Sequence, residues 1–232
     1  MNKKLFQYSY SMKKEHTKNS IGFVFFIIFL FLFVGLIISH LVFPVRQLSE
    51  SMTPDIEPNS FVLVTPVKTS FERGDVVLLK PQTLVEPSRF MKGIDFLCKF
   101  FTAQQISPLE KSDLPGTKQK FRRVIGLPGD TIYMRDYVMY IKPKGEKHFL
   151  TEFELIKKSY NVTFMSVPST WDNEIGVKGY FDEIVLGDDE YYVLGDNRKA
   201  CDDSRLWGTV SQERVKAKAL VCYFPFNKLR LF

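Results

Sequence analysis

The chain has 232 residues, 45% hydrophobic and 25% charged, with 32 Lys+Arg against 26 Asp+Glu and a formal charge of +6. This is an ordinary globular composition, which excludes wholesale disorder and low-complexity fibres. The average conceals a strong asymmetry at the N-terminal end.

Residues 1–18 carry Lys3, Lys4, Lys13, Lys14 and Lys18 against Glu15 alone. From Asn19 to Val45 no Lys, Arg, Asp or Glu occurs, and Phe, Ile, Leu and Val dominate. A bilayer core needs about 20 apolar residues in a helix. A cleavable leader has a shorter apolar centre and a small-x-small end, whereas this run ends in Ser39-His40-Leu41-Val42-Phe43-Pro44. A core helix apolar on every face would need more partners than the remaining residues supply. Residues 19–45 therefore read as a single transmembrane anchor. Flanking charge then keeps residues 1–18 in the cytoplasm and puts residues 46–232 outside the cytoplasmic (inner) membrane. Because the tail explains much of the +6, no nucleic-acid partner is implied. The remaining Lys and Arg read as a solvated surface beside anionic membrane lipid.

In residues 46–232, short runs of Val, Ile, Leu and Tyr alternate with Gly, Pro, Asp and Asn, as strands and turns do. Strands are expected at Phe61–Thr65, Val76–Lys80, Arg122–Ile125, Thr131–Met134, Tyr137–Lys142, Tyr191–Leu194 and Lys216–Phe224. The domain is thus mainly β, a compact sheet or barrel, with an insertion near 143–187. Arg89–Phe101 departs from this. Phe90, Met91, Ile94, Leu97, Cys98 and Phe101 follow helical spacing, with Lys92, Asp95 and Lys99 opposite. Such a basic amphipathic helix either lies in the lipid interface or packs its apolar face on the domain. Cys98, Cys201 and Cys222 form no CxxC or His/Cys cluster, so no metal site is expected; one disulfide or three thiols remain open.

Three segments stand out as chemistry-bearing: Gln47-Leu48-Ser49-Glu50-Ser51-Met52-Thr53-Pro54, Phe121-Arg122-Arg123-Val124-Ile125-Gly126-Leu127-Pro128-Gly129-Asp130, and Leu194 to Gly208 with Gly195-Asp196-Asn197-Arg198 and Cys201-Asp202-Asp203-Ser204-Arg205. Each alone reads as turn chemistry. In this order, with Arg73-Gly74-Asp75-Val76-Val77 between the first two and Tyr223-Phe224-Pro225-Phe226-Asn227-Lys228 at the end, they closely resemble the bacterial type I signal peptidase family. The resemblance implies a β-rich fold built on a coiled sheet seated against the membrane, with a small inserted β subdomain. It implies no cofactor, and a membrane-bound serine endopeptidase that cuts signal peptides from exported preproteins.

A serine hydroxyl is a poor nucleophile at neutral pH and needs a base and oxyanion donors. The family uses Ser with an unprotonated Lys whose pKa burial depresses. By the resemblance Ser51 is the nucleophile and Ser49 supplements the Ser51 N–H in the oxyanion hole. Gln47 and Phe121 line opposite sides of the substrate pockets, with Phe121 narrowing them, and Asp196, Asn197, Asp203 and Arg205 support the site loops. Two positions depart from the pattern. The family's Lys falls on Arg122, and a guanidinium stays protonated in proteins. The Ser that helps position the Lys ammonium falls on Cys201.

Three replacements for the lost base follow. Lys120 shares the strand face of Arg122 at a Cα separation of about 6–7 Å. His148 or His40 is a second candidate, and Cys201 as nucleophile is a third; Lys120 is preferred. The chain is expected to be a signal peptidase acting through Ser51. The alternative is a catalytically inactive homologue that binds exported proteins or assists their assembly. A soluble self-cleaving repressor with related chemistry fails on the anchor and lacks a DNA-reading helix pair.

Overall fold

In the computed structural model, which describes residues 18–35, 41–66, 70–80, 88–101, 119–164, 179–199 and 201–232, the apolar run begins as helix α1, Lys18–Gly35. At 1.5 Å per residue α1 is about 27 Å long, close to the hydrocarbon thickness of a bilayer. It is long and apolar enough to cross a membrane, and none of it is buried against the described protein. The basic tail before Lys18, residues 36–40 with His40, and 165–178 of the expected insertion lie outside the described residues. The anchor reading of 19–45 runs too far. Phe43–Arg46 is strand β1, and Phe43 is buried in the core because its ring meets the sheet rather than lipid.

The remaining elements follow in chain order. Strands β2 (Phe61–Thr65) and β3 (Val76–Leu79) precede helix α2 (Arg89–Phe101). Strands β4 (Lys120–Gly126), β5 (Thr131–Arg135), β6 (Val138–Lys142) and β7 (Leu150–Thr151) lead to the short helix α3 (Glu152–Leu155). Then come β8 (Phe181–Val185), β9 (Glu190–Leu194), helix α4 (Ser204–Trp207), β10 (Val210–Ser211), β11 (Val215–Phe224) and β12 (Arg230–Leu231). The domain is mainly β, as its alternating patterns predict.

The large sheet runs β1-β2-β11-β3-β4-β9-β10, with β12 on β11, and curls into a half-barrel. The small sheet is β7-β6-β5-β8, and so begins at Thr131, before the insertion expected from Pro143 onward. Strand β3 explains the hub of the large sheet. Its run Val76-Val77-Leu78-Leu79 is apolar without alternation, and all four side chains are buried. Val76 and Leu78 face a core that includes Phe43, Met52, Ile56 and Phe121, while Val77 and Leu79 face a second with Phe71, Val193 and Val215. Each such side chain stabilises by roughly 1.5–3 kcal/mol on burial. A third core, with Ile125, Ile132, Met139, Ile141 and Tyr192, joins the two sheets.

The joint also contains charge. Arg198 and Glu152 form a fully buried pair, with Arg198 Nη1 to Glu152 Oε1 at 2.8 Å and Nη2 to Oε2 at 2.6 Å. Arg198 Nη1 further donates to the Tyr137 carbonyl at 2.9 Å, and the Tyr160 hydroxyl donates to Glu152 Oε2 at 2.6 Å. Burial, then the adjacent Glu152 carboxylate, push the Tyr160 phenol well above its ordinary value, so it remains a neutral donor. The pair ties the small sheet to the turn after β9. Glu152→Ala would leave Arg198 charged in a dry site and should cost about 3–5 kcal/mol. Tyr160→Phe, which removes one neutral donor to the Glu152 carboxylate, should cost about 1.5–3 kcal/mol. Both are measured as denaturant midpoints of the full chain in detergent.

Candidate active site

Ser51 sits in a single 3-10 turn, Glu50–Met52, directly after β1. The sequence builds this turn from its ends. Met52 and Ile56 insert into the core, and the Glu50 carbonyl accepts from Thr53 N at 3.1 Å and Thr53 Oγ1 at 2.8 Å. The turn rests on the segment after β9: Asn197 N donates to the Ser51 carbonyl at 3.0 Å and Asn197 Nδ2 to the Glu50 carbonyl at 3.3 Å. Gly195 permits that approach. A Cβ there would stand 2.6 Å from the Ser51 carbonyl oxygen and 2.0 Å from Cys201 Sγ.

Among the described residues, three groups surround the Ser51 hydroxyl. Ser49 Oγ is 2.9 Å away, Arg122 Nη1 donates to it at 2.9 Å, and Gln47 Nε2 donates at 3.4 Å. Gln47 also donates to the Ser49 carbonyl at 2.8 Å, so it braces the loop from within. Arg122 and Gln47 are donors only at these contacts, whereas between the Ser51 and Ser49 hydroxyls either can donate to the other. A neutral hydroxyl is not a base. The arrangement holds Ser51 Oγ as an acceptor facing a fixed positive charge.

Arg122 is buried and satisfied by neutral oxygens throughout. Its Nε donates to the Asp202 carbonyl at 3.0 Å, its Nη2 donates to the same carbonyl, and its Nη1 bonds the Phe121 carbonyl at 2.5 Å. Lys120 does not reach Ser51. Its side-chain nitrogen pairs with the Asp202 carboxylate, a nearer acid on the same side of β4, and so is directed away from Ser51. Although burial alone would raise it, that hydrogen bond from Lys120 holds the Asp202 carboxyl below its ordinary range.

The other replacements also fall away. His148 is exposed in the connection between β6 and β7, and His40 lies outside the described residues. Burial pushes the Cys201 thiol up to about 12 against the opposing pull of Arg122, which leaves it a neutral side chain and no nucleophile. No disulfide joins the described cysteines. Nor do the described residues gather three metal-ligating side chains in one place.

The remaining expected residues form the frame. Asp203 and Arg205 make a buried two-pronged pair at 2.8 and 2.9 Å. Asp203 Oδ2 accepts from Gly195 N at 3.1 Å, and Arg205 Nη1 donates to the Arg198 carbonyl at 3.0 Å, so this pair pins the turn that carries Asn197. Asp196 accepts from Arg123 at 2.7 and 2.5 Å; burial raises its carboxyl, opposed by Arg123. Phe121 is a correction. Strand alternation turns its ring away from Arg122 into the core with Phe43 and Met52, so it narrows no surface pocket and only its carbonyl faces the site.

Sequence reasoning missed Asp202, which sits inside the Cys201–Arg205 block and whose carbonyl positions Arg122. It also missed Arg123 and Asp55, joined at 3.0 Å beneath the Ser51 turn. A signal existed for Arg123: two adjacent arginines on one strand must face opposite sides.

Strand β4 offers a docking edge. Lys120–Arg123 pair with β3, while β9 takes the other edge only from Arg123 onward. Among the described residues, 120–122 thus have one unpaired strand edge beside Ser51.

A family model described as "Signal peptidase, peptidase S26" matches residues 20–224. Signal peptidase I of Bacillus licheniformis is 32% identical over 112 residues, which cover 47% of this chain and 53% of that protein. Signal peptidase I T of Bacillus subtilis is 30% identical over 136 residues, covering 56% of this chain and 64% of its own. A probable signal peptidase I-1 of Synechocystis is 24% identical over 183 residues, covering 78% of this chain and 70% of its own. The chain thus spans about half the length of the Bacillus licheniformis relative. A solved signal peptidase I from Enterococcus faecalis matches 65% of this chain and 97% of its own at 21% identity, with a TM-score of 0.31.

The inert state of Cys201 is directly measurable. At pH 8 a thiol with its pKa near 12 is about 10⁻⁴ thiolate. Iodoacetamide should therefore leave Cys201 unmodified in the native chain for hours and label it within minutes in denaturant, as mapped by peptide mass spectrometry. Rapid native labelling of Cys201 would contradict the packing described.

Proposed function

The chain belongs to the signal peptidase family, peptidase S26, and from that premise we propose that it is a membrane-bound signal peptidase I that cleaves signal peptides from exported preproteins by attack of Ser51. In this reading α1 anchors the protein in the cytoplasmic membrane, residues 1–18 remain in the cytoplasm, and the β domain works outside. The observation that carries it is the contact of Ser51 Oγ with Ser49 Oγ and Arg122 Nη1, each at 2.9 Å, beside the unpaired edge of β4. A preprotein segment adds to that edge as an extended strand and presents its scissile carbonyl to Ser51.

Arg122 changes how the nucleophile is activated. A guanidinium takes no proton, but its fixed charge stabilises the Ser51 alkoxide. The hydroxyl proton passes to solvent hydroxide, and the alkoxide adds to the scissile carbonyl. The Ser51 N–H and the Ser49 hydroxyl hold the oxyanion. Collapse then expels the amine, which takes its proton from water, and water hydrolyses the acyl-enzyme. Gln47 and Phe121 hold the two walls through amide and carbonyl contacts. Asp196, Asn197, Cys201, Asp203 and Arg205 hold the turn beneath.

A second reading has a specific observation in its favour: the described groups around Ser51 Oγ include no amine, imidazole or carboxylate. On that reading the protein binds export substrates without cutting them. General-base catalysis typically contributes 10²–10⁴-fold, so its loss leaves either a slow enzyme or none.

Cleavage of a preprotein by the purified full chain, measured against pH beside Ser51→Ala and Arg122→Lys, separates the readings. For the proposed enzyme, kcat/KM rises about tenfold per pH unit up to pH 10 without levelling, because only the alkoxide fraction grows. Ser51→Ala abolishes it. Arg122→Lys is faster by about 10²–10⁴-fold at pH 8 and levels off above the lysine's own titration. Parent protein that binds preprotein yet never cuts it establishes the second reading.

A further inference from the structure

Among the described side chains of helix α2, large apolar ones are exposed while the acid Asp95 is buried. Phe90, Ile94 and Leu97 stand at i, i+4 and i+7 on one stripe, with Met91 and Cys98 beside them. Phe90 is 76% exposed, Leu97 54% and Met91 37%, whereas Asp95 is only 6% exposed. A helix that packs its apolar face on its own domain shows the reverse order. The expectation that this face covers the domain is therefore not met.

The position of the insert says what covers it. It leaves the large sheet after Leu79 and returns at Lys120, which are register partners on β3 and β4. Lys216 marks the same end of the sheet. Its Nζ donates to Gln119 Oε1 at 2.9 Å and lies 5.1 Å from the centre of the Phe43 ring. Phe43 begins β1, the first strand after α1, and seven residues separate it from Gly35. That stretch spans at most about 30 Å. The insert thus springs from the end of the sheet at which the chain arrives from the membrane helix. The segment Arg89–Phe101 carries Arg89, Lys92 and Lys99 against Asp95, and Arg89 is exposed beside the apolar stripe. Exposed large apolar side chains, net positive charge and a nearby membrane helix together match a helix that lies in the headgroup region of an anionic leaflet.

We infer that α2 is a second, interfacial membrane contact: it lies along the surface of the bilayer that α1 crosses, with Phe90, Met91 and Leu97 inserted among the acyl chains and Arg89 among anionic headgroups. The inference rests on α1 as the anchor and is independent of whether Ser51 cuts.

The test uses the full chain in vesicles of 70% phosphatidylcholine and 30% phosphatidylglycerol, with a trace of phosphatidylcholine carrying a diazirine on its acyl chain. After illumination, labelled peptides are mapped by mass spectrometry. Label is expected on residues 89–101 as well as on α1, and at least about threefold less on 89–101 in pure phosphatidylcholine. The Phe90→Glu/Leu97→Glu double variant should lose the label on 89–101 and keep it on α1. Neither side chain belongs to any of the three cores, so the variant retains its fold, which thermal melting verifies. Label confined to α1 overturns the inference. So does photo-adduct on 89–101 that joins two copies of the chain instead of lipid. Preprotein cleavage plays no part in the readout, so a failure here leaves the peptidase reading untouched.

Discussion

A buried guanidinium held only by neutral oxygens is the constraint around which this site is arranged. Arg122 has no carboxylate of its own. Its charge is met by the Asp202 carbonyl, the Phe121 carbonyl and the Ser51 hydroxyl. Burying a charge without adequate partners is costly. These three acceptors must therefore stay in place, and each belongs to a different part of the chain. The guanidinium thus couples the turn after β1, the strand β4 and the loop before α4. The Lys120–Asp202 pair fixes that loop from the other side.

The frame behind the site is built in layers of the same kind. The Asp203–Arg205 pair pins the turn after β9, Arg198–Glu152 ties that turn to the small sheet, and Arg123 bridges Asp196 and Asp55 beneath the serine loop. No buried side-chain nitrogen or oxygen among the described residues lacks a hydrogen-bond partner. Such a network is geometrically demanding, because partial satisfaction of buried polar groups destabilises more than an apolar substitute would. It gives the Ser51 turn little freedom, as the proposed attack on a carbonyl at one distance and angle requires.

Replacing a titratable amine with a permanent cation retains electrostatics and removes proton transfer. These two contributions to serine activation normally reside in one lysine, and here they are separated. The accompanying Cys201 fits the change. The guanidinium already has its acceptors, and a small neutral thiol fills the space against Gly195. The two departures from the family pattern are one local rearrangement.

Much of the fold was legible along the chain. Short apolar runs between turn residues located β2, β3, β5 and β6, and helical spacing bounded α2 at Arg89 and Phe101. The serine loop and the Asp196–Arg205 frame read singly as turns, and only the order of all the blocks together, through their resemblance to a known family, marked them as a site. What went astray depended on competition at a distance. Phe43 looked like membrane helix because apolarity does not distinguish lipid from a sheet, and Phe121 looked like a pocket wall because its partner residues lie far away in sequence. Lys120 had the reach for Ser51, but Asp202 offered a closer and opposite charge. The exposed face of α2 could be recognised as apolar but not as uncovered. The order of residues determines which groups each element can present, since periodicity and turn chemistry act over a few positions. Which group each one meets is decided by folding, since partners separated by scores of residues compete for the same side chain and the nearest compatible charge or cavity wins.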